Sequence, residues 1–171
     1  MIDETVTFEP GANRTRDLRR AFGRFGTGVT VVTIQTPDGP MGMTANSFSS
    51  ISLDPPLVLW SPGQASRRHD AFTRTDAFCI HILGHDQLPT AMHFAENGGA
   101  FGGFDWTLDA QGAPVLQGCL AVFHCTMHAV HPAGDHSLVL GLVRQFTLAD
   151  TTRTGLIFEQ GRYGIADAAP Q

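Results

Sequence analysis

Gly42-Met43-Thr44-Ala45-Asn46-Ser47-Phe48-Ser49-Ser50-Ile51-Ser52-Leu53-Asp54-Pro55-Pro56-Leu57-Val58-Leu59 is a strand-like run rich in small residues and hydroxyls, with one amide. Proline cannot donate to a β-ladder and disfavours helix in the residue before it, so Asp54-Pro55-Pro56 divides the run into two strands, Met43–Ser52 and Leu57–Trp60. Upstream, Val29 to Ile34 is rich in β-branched residues, and the turn chemistry of Thr36-Pro37-Asp38-Gly39-Pro40 predicts a hairpin into the quoted run. Downstream, Phe78 to Leu83, Cys119 to Val130, Ser137 to Leu148 and Leu156 to Ile165 extend the series of strands.

Helical signals are fewer. Leu18, Ala21, Phe22 and Phe25 recur at helical spacing, with Arg16, Arg19, Arg20 and Arg24 on the other faces and Gly26 as the stop. Ser66 to Phe72 reads as a helix start, and Asp86 to Ala95 as a second short helix. Asn97-Gly98-Gly99-Ala100-Phe101-Gly102-Gly103 has neither the preceding strand nor the following helix of a phosphate-cradling loop, and reads as a flexible loop. Strands outnumber helices and join by tight turns, which predicts a mainly β protein: an antiparallel barrel with a few helices packed outside. The 171 residues suit one domain. Its expected extent is 14–166, with loose ends over 1–13 and 167–171.

Charge and cysteine usage narrow the function classes. The net charge is -5 and every basic residue is an arginine, which argues against a nucleic-acid surface. A single ligand phosphate would meet arginine, hydroxyls or backbone N–H groups. Met1 to Glu9 lacks the basic start and apolar core of a secretory signal, and no stretch is apolar enough to span a bilayer. Cys119 and Cys125, placed in one strand, lie about 20 Å apart, beyond disulfide reach. These features predict a reduced, cytoplasmic protein.

In the segment Thr44-Ala45-Asn46-Ser47, side chains alternate across the strand, so Thr44 and Asn46 point one way and Ala45 and Ser47 the other. Small side chains let a flat ring approach the backbone, whose N–H and C=O groups match the donor and acceptor edge of a flavin or similar heterocycle. The same segment also reads as an ordinary edge strand with exposed hydroxyls. Ser66-Arg67 beside a first helical turn combines hydroxyl, guanidinium and backbone donors suited to an anion. Arg68 reads as a solvated surface arginine. Gly134-Asp135-His136 is a common turn tripeptide and also a place for a histidine of near-neutral pKa. Among eight histidines, His124 and His128 share a strand face but lie about 13 Å apart. With no neighbouring Cys or Glu to complete a set, no metal site is expected.

Arg20 to Thr33, Gly42 to Phe48, Leu53-Asp54-Pro55-Pro56-Leu57-Val58, Ala65-Ser66-Arg67, His93-Phe94-Ala95, Phe104-Asp105-Trp106, Gly134-Asp135-His136 and Phe158 to Tyr163 resemble, in this order, the flavin reductase family. The resemblance covers nearly the whole chain. It implies a homodimeric split β-barrel that binds FMN, or FAD, and reduces it with NADH or NADPH, supplying reduced flavin to a partner monooxygenase. It also implies residue roles. Thr44, Ala45, Asn46 and Ser47 contact the isoalloxazine or ribityl chain. Ser61, Ser66 and Arg67 hold the phosphate, Thr27 gives a backbone contact, and Phe94 walls a ring edge. Asp135 sits beside the flavin, and His136 positions the nicotinamide and can act as a proton donor. Trp60 departs from the family, placing an indole where relatives carry small residues; it either narrows the pocket or faces the core or a dimer contact. A filled nicotinamide face would make the protein a flavin carrier or regulator without turnover, and direct reduction of another substrate would use the same site.

Overall fold

The computed structural model describes residues 5–165, so the ends of the expected tails, 1–4 and 166–171, lie outside the described residues. Among the described residues, three α-helices, α1 (Thr15–Phe22), α2 (His69–Arg74) and α3 (Leu88–Glu96), accompany twelve strands. The strands are β1 (Thr27–Gly28), β2 (Thr30–Thr36), β3 (Gly39–Ala45), β4 (Ser49–Leu53), β5 (Pro56–Trp60), β6 (Ala77–Ile82), β7 (Trp106–Leu108), β8 (Pro114–Leu116), β9 (Ala121–Ala133), β10 (His136–Leu148), β11 (Leu156–Glu159) and β12 (Arg162–Ile165). The protein is therefore mainly β with few helices, as its pattern of short strands and turns predicts. No helix among the described residues is long and apolar enough to cross a membrane.

Seven strands form one antiparallel sheet in the order β3-β2-β6-β9-β10-β5-β4, flanked by a β1-β11-β12 sheet and a β7–β8 hairpin. The expected continuous strand over Met43–Ser52 is broken. β3 ends at Ala45 and β4 starts at Ser49, and these two consecutive strands occupy opposite edges of the sheet. Six inter-strand steps of about 4.8 Å would set flat edges about 29 Å apart, whereas four residue steps reach at most about 14 Å. The sheet must therefore curl. It remains open, since no ladder joins β3 to β4 among the described residues.

The two faces bury separate cores. Period-2 alternation sends Val31, Cys79 and Val122 to one side, where α3 and Phe101 cover them. Val32, Phe78, Ile80 and Cys125 go to the other side with Met43, Val58 and Val139, and Phe72 of α2 closes that cluster. β2 and β6 are buried on both faces, so their polar residues Thr33 and His81 are buried along with their apolar neighbours. Trp60 belongs to this second core: it is fully buried, edge-on to Phe72. That decides between its two readings and removes it from any ligand face.

Three local expectations change. α1 stops at Gly23 rather than Gly26, so Phe25 falls outside it, and Phe22 and Phe25 are 69% and 77% exposed instead of packed on the core. α2 starts at His69, leaving Ser66 to Arg68 in the turn before it. The glycine-rich loop is anchored, because Phe101 is buried against Phe94 and Gly98 accepts a bond from the Gly42 N–H at 2.7 Å. Cys119 also falls ahead of β9, and Cys79, Cys119 and Cys125 are all free thiols.

Gly141 is required by packing rather than by backbone angle. A Cβ there would stand 2.6 Å from the buried Phe78 ring and 3.1 Å from Cys125 Cβ, beside a register shift in the β9–β10 ladder. Gly141→Ala should lower the unfolding free energy by about 1–3 kcal/mol through overpacking, read as a lower urea midpoint. An unchanged midpoint would contradict this packing.

Candidate functional site

β3 is an edge strand, so half of its main-chain groups face away from β2. Gly42 shows which half: its N–H donates to Gly98 O, and its carbonyl accepts from Arg68 at 2.8 Å. By alternation, the N–H and C=O of Thr44 come next along the same open edge. The Thr44 hydroxyl donates to Ala91 O of α3 at 2.7 Å, and the Thr30 hydroxyl donates to Ala45 O at 2.7 Å. Ala45 packs on the second core, while Thr44 faces α3, which agrees with the alternation read from sequence.

Past Ala45 the chain leaves the ladder. Asn46 donates to the Thr27 hydroxyl at 3.2 Å. Ser47 staples the crossing to the end of β5, since its Oγ accepts from Ser61 N at 2.9 Å and donates to Ser61 O at 3.3 Å. Two surface cavities meet at Asn46 and Phe158. One, about 150 Å³, lies between Thr44, Ala95 and Tyr163. The other, about 330 Å³, is bounded by Arg19, Phe25, Thr27 and Gly161.

The turn between β9 and β10 docks on the segment after β5. Gln64 N donates to Asp135 O, Ser137 N to Pro62 O, and Gln64 Nε2 to His136 O. Gly134 has φ of +63°, the left-handed geometry that a tight turn asks of glycine. His136 lies against Gly63, where a Cβ would come 3.4 Å from its Nε2, and its ring is half exposed. Because a carboxylate only accepts, His136 Nδ1–H donates to Asp135 Oδ1 at 2.7 Å, which leaves Nε2 on the Gly63 side of the ring. That bond, the imidazole charge and Arg19 hold the Asp135 carboxyl below the usual range.

Thr27, Thr44, Ala45, Asn46, Ser47, Ser61, Asp135 and His136 thus lie along one seam. Ser66 and Arg67 sit beside it, Ser66 Oγ accepting from Arg68 N at 3.3 Å and Arg67 being exposed. Phe94 does not join them. It is fully buried, stacked among Phe101 and Phe104 and covering the Cβ-less Gly42, so its ring serves the core and not a ligand edge.

Arg68, read from sequence as solvated, is a brace. Its guanidinium donates to Gly42 O, Phe94 O and Ala95 O at 2.7–2.8 Å, tying β3 to α3, and burial lowers its pKa. No spacing rule separates it from Arg67. Strand spacing likewise misses Cys79, Asp109 and His124, whose ligand-type atoms lie within 4.8 Å of one another because Cys79 and His124 pair across β6 and β9. His124 Nδ1–H and the Cys79 thiol donate to Asp109 Oδ2, at 3.0 and 3.4 Å, while Gln111 N and Ala113 N donate to Oδ1. Burial pushes the Asp109 carboxyl up, but these donors outweigh it and hold it below the usual range. Burial raises all three thiols, Cys119 to about 11 and Cys125 to about 12, so none is a poised nucleophile.

The flavin reductase like domain family matches residues 22–167. The chain is 48% identical over 157 residues to FMN reductase (NADH) SmoA of Agrobacterium fabrum, covering 92% of this chain and 89% of that protein. It is 37% identical over 149 residues to the reductase subunit HsaB of a flavin-dependent monooxygenase of Rhodococcus jostii, covering 86% and 76%. The solved NADH:FAD oxidoreductase SgcE6 of Streptomyces globisporus C-1027, in complex with NAD and FAD fragments, superposes with a TM-score of 0.84 at 40% identity, covering 95% and 98%.

Arg68→Met removes the donor to three carbonyls in part-buried and exposed bonds and should cost about 1–3 kcal/mol, whereas Arg67→Met should cost under about 0.5 kcal/mol; equal losses on urea unfolding would refute the brace. His81 gives a pH prediction. Its Nδ1–H donates to Val31 O, its Nε2 accepts from Leu116 N, and burial lowers its pKa from 6.5 to about 4. The unfolded chain takes up a proton below pH 6.5 that the native state refuses until about 4, so stability is complete above that window and falls across it. Urea midpoints should decline from pH 6.5 downward, by up to about 1.4 kcal/mol per pH unit; a flat profile would exclude this role.

Proposed function

The chain belongs to the flavin reductase like family, and from that premise we propose that it is an NAD(P)H-dependent flavin reductase. It reduces FMN or FAD with NADH or NADPH and supplies reduced flavin to a partner monooxygenase. The observation that carries this reading is the 48% identity to an NADH-dependent FMN reductase over 92% of the chain. The similarity to a monooxygenase reductase subunit supports the partner.

The seam suits a flavin. The open main-chain edge at Thr44 and the exposed amide of Asn46 match the donor and acceptor pattern of the isoalloxazine, while Ala45 and Ser47 leave room for a flat ring. Thr27 orients the Asn46 amide. Ser61, Ser66 and Arg67 offer hydroxyl and guanidinium donors to the phosphate. When bound together, the cofactors supply the redox step: a hydride passes from nicotinamide C4 to flavin N5, oxidising NADH to NAD⁺, and one solvent proton completes the reduced flavin. The protein aligns the two rings at close range. Asp135 fixes the His136 ring, and the half-exposed imidazole would position the reductant's nicotinamide end.

We further propose a homodimeric split barrel. The curl forced by the short crossing supports the barrel, and exposed apolar residues support the dimer: Phe22 on α1 and Phe25 just after it, Ile51 and Leu53 on β4, and Phe146 and Leu148 on β10, with Leu53 96% exposed. The carrier reading loses its motive, since Trp60 lies in the core and fills no nicotinamide face.

Anaerobic mixing with NADH and FMN should bleach the flavin far faster than the protein-free reaction, and bound but unbleached flavin would refute the reductase. His136→Ala should raise the KM for NADH about tenfold, about 1.4 kcal/mol, with flavin affinity nearly unchanged. Equal loss of flavin binding would move His136 off the nicotinamide.

A further inference from the structure

We infer that the arginine face of α1 binds the adenosine diphosphate group of a dinucleotide, either FAD or NADH; this rests on the reductase reading only for the choice of ligand. Arg16, Arg19 and Arg20 lie at i, i+3 and i+4 on α1, Arg24 follows in the turn after it, and the four line a cavity of about 370 Å³ with Gly23, Gln160 and Gly161. In a chain of net charge -5, this is an unusual concentration of cations. Arginines four apart repel each other on a helix. α1 carries a single acid, Asp17, which lies 3.2 Å from Arg14 and only 3.7 Å from Arg20. An anionic ligand would offset that repulsion, and guanidinium groups grip phosphate oxygens in pairs.

The cavity floor is built. Gln160 N donates to Gly23 O at 2.8 Å, fastening the β11–β12 turn under the end of α1. Gln160 holds φ of +50° and is the only non-glycine residue at positive φ among the described residues. Such strain persists where the surroundings enforce it, and it gathers at ligand sites.

Continuity identifies the ligand. Arg19, Gly23, Gln160 and Gly161 also line the cavity that contains Thr27 and Asn46. A molecule with a ring at Asn46 can therefore run across Gly23 and lay a second, more anionic portion on the arginines. FMN ends at its one phosphate and has nothing beyond it for the arginines to hold. FAD extends FMN by an adenosine monophosphate, which turns that phosphate into a pyrophosphate, and NADH carries a pyrophosphate and an adenosine beyond its nicotinamide riboside; either extension fits the remaining space and charge.

The test uses the full chain and the triple variant Arg16→Gln/Arg20→Gln/Arg24→Gln, all surface positions. Calorimetry with ADP should show saturable binding that the variant weakens at least tenfold; absence of saturable binding, or equal binding by the variant, would overturn the inference whether or not the protein reduces flavin. Steady-state kinetics then names the source. A KM increase for FAD with FMN unchanged assigns the site to FAD, and an increase for NADH with reduced nicotinamide mononucleotide unchanged assigns it to NADH. Parallel increases for FMN and FAD, or no change in any of the four, would overturn it. A wild-type protein that bleaches no flavin refutes the reductase reading alone, since ADP binding is read without turnover. Should the variant fail to fold, ADP affinity of the wild-type protein falling steeply with added KCl supports the ionic contact, and salt-independent affinity rules it out.

Discussion

Three residues, Asn46 to Phe48, carry the chain from one edge of a seven-stranded sheet to the other. That shortness is the constraint on which the architecture rests. A flat sheet cannot satisfy it, so the strands wrap around Phe78, Ile80, Trp60 and their neighbours, and the curl closes that core with only α2 added. The crossing is also where backbone groups leave the ladder without becoming buried. Main-chain donors and acceptors there are accessible yet held by a rigid scaffold, the condition a binding seam needs.

Rigidity comes from a few polar ties placed where strands alone would leave gaps. The Ser47–Ser61 pair fixes the crossing to β5. Arg68 holds three carbonyls between β3 and α3. Asp109 gathers His124, Cys79 and two N–H groups, and the Thr33 hydroxyl donates to Pro114 O, so the β7–β8 hairpin is clamped to the sheet from two directions. Each tie joins elements distant in sequence, and each side chain sits on a strand or turn whose position packing already determines.

Much of this was legible in the chain because it follows from local chemistry. β-branched runs, Pro-Gly turns and two-residue alternation gave the strands, the hairpins and the opposed faces of Thr44 and Ala45. The break falls at Asn46-Ser47, residues of turn chemistry within the run, but its size was not legible, since it arises from curl, a property of the whole sheet. Phe94 and Arg68 went astray for the same reason. Phe94 carries no local sign that it must cover Gly42, and Arg68 differs from Arg67 only in which direction the turn before α2 points it. The Cys79–Asp109–His124 group depends on cross-strand register, which no spacing within one strand contains. Arg16, Arg19, Arg20 and Arg24 were visible as a helix face, but the turn at Gln160 that makes a floor beneath them was not.

Trp60 carries a consequence of an optical kind. Its indole is sealed in an apolar core, its Nε1 has no hydrogen-bond partner among the described residues, and its backbone runs directly into Ser61 at the seam. An indole so shielded emits at short wavelength, and it stands one residue from the Ser47–Ser61 contact. The protein thus contains an intrinsic fluorophore at the boundary between its core and its crossing, able to report strain there without a label.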